Sequence, residues 1–129
     1  MRLLLDTHVW LWLLTRPARV PAPVRDAIED SATERVWSAV SVWEIAVKHA
    51  SGKLPLPDSP DRFVRSRMLA TGAQRLPIDH EHALHVATLP PHHGDPFDRL
   101  LVAQAQVERL VLVTGDAALS AYDVEILWG

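Results

Sequence analysis

The stretch GDPFDRLLVAQAQVERLVLVTGD, residues 94–116, decides the fold. Asp95 stands before Pro96, the order in which an N-cap precedes a proline in the first helical turn, and Asp98 falls within that turn. Leu100, Leu101, Ala103, Ala105 and Val107 make the ensuing helix apolar along one side, so it is expected to pack on a sheet. The run VLVT, 111–114, is continuously apolar and β-branched, as in a buried parallel strand. Gly115 and Asp116 then form the turn that leaves it. Carboxylates at a helix start and at a strand's carboxyl end can meet in the crevice where open α/β sheets bind ligands.

Outward from this unit, strands and helices alternate. Residues 2–5 read as a short apolar strand ending at Asp6, and Thr7 can cap a helix through Leu14 that is apolar nearly all round. Such a helix is either buried on both sides or leaves a patch for a partner. Three prolines mark 16–23 as a connector, and a more polar helix begins at Val24. Val36 and Trp37 start a second strand. Residues 38–41 turn into a helix through about His49, with Gly52 as its stop. A loop at 54–60, a helix at 61–70, a strand at 75–78 and a helix at 79–89 follow. After the opening stretch come a helical turn at 117–121 and a last strand at 124–128. This alternation predicts an α/β fold: three layers, helix–sheet–helix, around a central, mostly parallel sheet of about five strands. Residues 1–129 are expected to form one domain, without repeats or a linker.

Bulk properties narrow the chemistry. The chain has no cysteine, which removes disulfides, thiolate metal sites and cysteine nucleophiles together and fits a reducing cytoplasm. The N-terminal MRLLLDTHVWLWLL is interrupted by Asp6 and His8, and its remaining apolar run is too short to span a bilayer, so no membrane role is expected. A net charge of −3 with neutral histidines means that nucleic-acid contact would need a local basic patch.

Four acids fall at element boundaries: Asp6, Glu44, Asp98 and Asp116. Singly, each has a structural explanation. Asp6 can cap a helix, Ser41 and Glu44 match the S-x-x-E capping box, Asp98 complements a helix dipole, and Asp116 suits a turn. Brought together they are harder to explain. Two carboxylates about 4 Å apart repel by roughly 4 kcal/mol at an effective dielectric near 20. Several such pairs need protons or a cation. Oxygen ligands without cysteine suit Mg²⁺ or Mn²⁺ and metal-assisted phosphodiester hydrolysis.

Four blocks in order, LLLDTHVWLW, SVWEIAVKHASGKL, DPFDRLLVAQA and LVTGD, resemble the PIN-domain ribonucleases, and more narrowly the VapC-type toxins of type II toxin–antitoxin pairs. The resemblance covers essentially the whole chain. It implies a PIN-like fold in which Asp6, Glu44, Asp98 and Asp116 hold one or two Mg²⁺ or Mn²⁺ ions. It also implies a cytoplasmic endoribonuclease that cuts structured RNA such as tRNA, is neutralised by a cognate VapB-type antitoxin, and forms a homodimer. The alternative is a PIN-like scaffold that binds a partner without catalysis. A phosphoryl-accepting signalling domain fits poorly, because Asp6 stands alone and no lysine follows Leu112.

Around the acids, Asp95 is read as the helix cap, and Thr114 and Ser41 as groups that can orient a carboxylate or a bound water. Arg62, Arg65, Arg67, Lys48, His49 and Lys53 are candidate phosphate contacts, though a solvated face explains them as well. Arg99, next to Asp98, is better placed for such a contact, the alternative being a pair with a carboxylate. His92 and His93 read as surface loop residues, and His80, His82 and His85 as one solvated helix face. Trp10, Trp12 and Trp43 are expected either to pack in the core or to form a groove for an antitoxin helix or a second subunit.

Overall fold

A computed structural model describes residues 1–129. Five parallel strands form one sheet in the order β3-β2-β1-β4-β5: β1 (Arg2–Leu5), β2 (Glu34–Ser38), β3 (Gln74–Leu76), β4 (Val111–Val113) and β5 (Ile126–Leu127). Helices α1 (Thr7–Thr15) and α2 (Ala22–Glu29) connect β1 to β2, and α3 (Ala39–Ala50) and α4 (Pro60–Thr71) connect β2 to β3. Helices α5 (His80–His85) and α6 (Pro96–Glu108) lead from β3 to β4. The expected helix at 79–89 is shorter than its pattern: α5 stops at His85 and a 3-10 turn, Val86–Thr88, follows.

Alternation along the buried strands builds two cores. Leu3, Leu5, Trp37 and Val113 face one side of the sheet, where Val9, Trp10, Val24, Ile45 and Phe63 meet them. Leu4, Val36 and Leu112 face the other, against Leu101, Val102 and Ala105 of α6. Side chains of a strand point to opposite faces in turn, so a sheet covered on both sides needs apolar residues at every position. Leu3–Leu5 of β1 and Val111–Val113 of β4, at the middle of the sheet, satisfy this with leucine and valine.

The strand order places a reversal between β1 and β4. From β1 the chain steps one way to β2 and β3; it then crosses over to β4 and continues to β5 on the far side. The two crossovers diverge at the carboxyl ends of β1 and β4, which opens a crevice there. The main chain ties these ends together, with Asp6 N donating to Val113 O at 3.0 Å.

Gly115, leaving β4, meets Trp128: a Cβ at this position would lie 2.9 Å from the indole Cζ2 and 3.0 Å from Cε2. Gly115→Ala is expected to cost about 1–3 kcal/mol through overpacking. Urea denaturation followed by tryptophan fluorescence tests this, and a variant as stable as the parent would show that Trp128 yields freely.

Candidate functional site

Each acid reaches the crevice for a local reason. Asp6 follows directly on the buried β1 and is itself fully buried. Its Oδ1 accepts from His8 N at 3.1 Å, so Asp6, not Thr7, caps α1. Its Oδ2 accepts from Thr114 Oγ1 at 2.6 Å. Capping and crevice placement are therefore compatible, one oxygen serving each. Thr114 Oγ1 also accepts from Asp116 N at 3.1 Å, so one hydroxyl links the exits of β1 and β4.

Glu44 is not part of a capping box. Ser38 caps α3 by accepting from Val40 N, which puts Ser41 and Glu44 inside the helix. Ser41 instead accepts from Thr7 Oγ1 at 2.9 Å, joining α3 to α1. Glu44 is buried, and its Oε2 accepts from Lys48 one turn on, while Oε1 is buried without any hydrogen-bond partner. An orphaned carboxylate oxygen inside a protein is costly and points to a missing cationic or proton-donating partner.

Asp98 lies in the first turn of α6 and is only 5% exposed. Its pKa is pushed up to about 7, first by burial and then by the charges of Asp6, Asp95 and Glu44. Burial likewise raises the carboxyl of Asp6, with the charge of Glu44 acting in the same direction. Asp116, at the exit of β4, caps the 3-10 turn Ala117–Ala121 through Oδ1, which accepts from Ala118 N at 3.0 Å. Its Oδ2 faces His93. Asp95 caps α6 as expected, its Oδ1 accepting from Phe97 N at 2.8 Å and Asp98 N at 3.3 Å.

Three basic residues complete the cluster. Lys48 loses solvation beside Glu44, which opposes its charge. Its hydrogen bond to Glu44 and the charges of Glu44, Asp95 and Asp98 still hold the ammonium above its usual range. His8 Nε2 lies 3.5 Å from Asp6 Oδ2. His93 is not the free surface residue that its loop implied: Nε2 lies 3.1 Å from Asp116 Oδ2 and 3.4 Å from Asp98 Oδ2. No sequence spacing marks that approach, because the loop folds back between α6 and the exit of β4.

Arg99 departs from expectation too. It pairs with main-chain carbonyls instead of a carboxylate, Nη1 donating to Pro90 O at 2.9 Å and Nη2 to Val86 O at 3.3 Å and Leu89 O at 3.4 Å. Nη1 also donates to Tyr122 Oη, so Arg99 pins the loop that carries His93.

Other candidates lie elsewhere. Arg65 is paired with Asp61, and Arg67 covers the ring of Phe63. His82, expected on a solvated face, is buried between α5 and α6, where Nε2 meets Glu108 Oε2 at 3.1 Å and Nδ1 accepts from Asp79 N. Trp10 is fully buried and stacked on Trp37, with centroids 4.3 Å apart at 13°. It belongs to the core and takes no part in a surface groove. Trp12 is partly buried against Trp128, and of the three only Trp43 is largely exposed, at 48%.

Residues 3–125 match the PIN domain family, nearly the entire chain. The chain belongs to the PIN-domain family. Among known proteins, 61 residues are 38% identical to Ribonuclease VapC16 of Mycobacterium tuberculosis, covering 47% of this chain and 43% of that protein. The match thus spans under half the length of that relative. Among solved structures, the fold is similar to VapBC2 from Rickettsia felis bound to a DNA fragment from their promoter, with TM-score 0.75, 10% identity and full coverage of both chains. It is also similar to FitAcB from Neisseria gonorrhoeae, with TM-score 0.66, 24% identity and coverage of 97% and 96%. At these identities the structural likenesses speak for the PIN fold alone. No helix of this PIN domain is long and apolar enough to cross a membrane.

Proposed function

We propose that residues 1–129 act as one PIN-like domain, a divalent-metal-dependent endoribonuclease that serves as the toxin of a toxin–antitoxin pair. The observation that carries this reading is the buried carboxylate cluster at the sheet's reversal point. There Glu44 has an orphaned oxygen and Asp98 is raised toward neutral pH by burial and like charges. Such a cluster fits a hard divalent cation, Mg²⁺ or Mn²⁺, held by Asp6, Glu44, Asp98 and Asp116. When bound, the ion would offset these charges and activate a water for phosphodiester hydrolysis.

The chain's own groups have defined tasks in this reading. Thr114 orients the Asp6 carboxylate, and Lys48 and Arg99 act at the edges, the first as a cation paired with Glu44 and the second as the anchor of the 86–93 loop. Single-stranded or looped RNA is the substrate class, with tRNA as the leading candidate, since splayed bases give an open crevice access to the backbone. The ribonuclease name of the 38% identical relative supports this choice of nucleic acid.

The partner in this reading is a VapB-type antitoxin, supported by the VapBC complexes that share the fold. Trp43 and the apolar groove between α3 and α4, lined by Val42, Ala46, Val64 and Met68, offer it a surface. Exposed Leu69 and Leu84 leave apolar area for a homodimer as well.

The test is RNA cleavage by the purified chain with Mg²⁺ or Mn²⁺. Activity is expected to vanish in EDTA, and Asp6→Asn and Glu44→Gln are each expected to lower it by more than about 100-fold, beyond the usual cost of disturbing a group that merely supports a metal ligand. Full activity of both variants with the ion present would end the catalytic assignment. Wild-type binding of RNA without cleavage would favour the scaffold reading.

A further inference from the structure

His93 sits where a metal ligand would. Its Nε2 and the carboxylates of Asp98 and Asp116 each offer one atom, all within 4.8 Å of one another. The other ring nitrogen argues against ligation. Nδ1 faces Asp95 N at 3.0 Å, with the main-chain N–H donating to it. A ring nitrogen that accepts an N–H carries no proton, so the proton of the neutral imidazole is on Nε2. A histidine that ligates a metal through Nε2 shows the reverse arrangement, with Nδ1–H donated to a carboxylate or carbonyl.

The Asp95 N–H cannot easily turn away. Asp95 is the N-cap of α6, tied by its side chain to Phe97 N and Asp98 N, and Pro96 follows it. The main chain of His93 is held as firmly, its N–H donating to Tyr122 Oη at 3.0 Å, the same oxygen that receives Arg99. The imidazole is thus clamped in position and in tautomer.

Resting on the metal-site reading above, we infer that His93 is a positioning residue: its Nε2–H, donated to Asp116 Oδ2 with Asp98 Oδ2 3.4 Å from the same nitrogen, sets the two carboxylates for a divalent cation that it does not itself ligate. A neutral donor suits this task. It draws two like-charged groups together without neutralising either, so the full charge of both remains for the cation. A lysine in the same place would compete with the ion. Asp95 gains a second role by the same geometry, since its side chain starts α6 and its main chain selects the tautomer of His93.

The experiment uses the full chain with Mn²⁺ as the probe. Long-range ¹H–¹⁵N NMR of the labelled, metal-free wild type is expected to show His93 as the Nε2–H tautomer, and a Nδ1–H tautomer overturns the assignment. Mn²⁺ affinity, from EPR of the free ion, is expected to fall 10- to 100-fold in His93→Ala. It should recover to within about threefold of wild type in His93→Gln, whose amide N–H can reach the same carboxylates. Pulsed EPR should detect no ¹⁴N coupling to bound Mn²⁺ that His93→Gln removes. If His93→Ala binds Mn²⁺ as wild type does, or such a coupling is found, the inference about His93 fails while the acidic site stands. If wild type binds no Mn²⁺ at all, the metal-site reading fails and the role of His93 falls with it.

Discussion

At pH 8 in EDTA, Asp98→Asn is expected to be more stable than the parent chain by roughly 2–4 kcal/mol, and to be inactive on RNA. The stability gain follows from the raised carboxyl. Folded, Asp98 titrates at about 7; its ordinary value is 3.8. Between those two values the native state binds more protons than the unfolded chain, so stability falls as pH rises through the window, and the loss is complete above about pH 7. Burial raises Asp6 as well, which adds to the fall in the same direction. Asparagine keeps the shape of Asp98 and cannot ionise, so the variant escapes its share of the loss. The difference should shrink to about 1 kcal/mol at pH 4.5, where the native carboxyl is protonated and the unfolded one is already mostly ionised. Urea denaturation at both pH values decides it. Equal stability at pH 8 would mean that the carboxyl of Asp98 is not raised in the folded chain. A group that costs stability while supporting activity is what a functional site is expected to contain. Saturating Mg²⁺ or Mn²⁺ should restore the parent's stability and leave the variant nearly unchanged, because an ion that binds only the native state stabilises it.

Trp10→Ala is expected to lose about 3–5 kcal/mol, a large share of the roughly 5–15 kcal/mol that holds a domain folded. Trp10 has no exposed surface, and its indole lies flat on Trp37 from β2, within the core that joins α1, α2, α3 and α4 to the sheet. Truncation removes the stack and leaves a large cavity that neighbouring leucines cannot fill. Trp43→Ala is the contrast. Trp43 is about half exposed, touching Phe97 edge-on at 4.6 Å between centroids, and its loss should cost about 1 kcal/mol or less. Denaturant midpoints of the two variants make the comparison direct, and a Trp10→Ala chain within 1 kcal/mol of the parent would contradict its place in the core. Only the Trp43 variant can then test the proposed antitoxin surface, since any binding defect in the Trp10 variant would reflect the fold.

Much of the fold was legible in residues 94–116 and their surroundings. The helix start at Asp95-Pro96, the continuous apolar strand at 111–113 and the alternation of elements along the chain led to a parallel α/β sheet of five strands, as observed. These are local signals. Capping depends on residues within one turn, and strand burial on the run of apolar side chains, so a short window contains the cause. Where short-range chemistry admitted two answers, the window misled: Ser41 and Glu44 have capping-box spacing, but Ser38 starts the helix one turn earlier.

What the sequence alone determined, then, is the set of elements, the family resemblance and the four acids at their boundaries. Only the tertiary structure decided which side chains meet. The reversal between β1 and β4 brings residues 6, 98 and 116 to one crevice, Arg99 and Tyr122 fold the histidine loop back over it, and α1 turns Trp10 inward while α3 leaves Trp43 outside. Those contacts join residues tens of positions apart. Their energies depend on burial and on distance through space, which no spacing along the chain records.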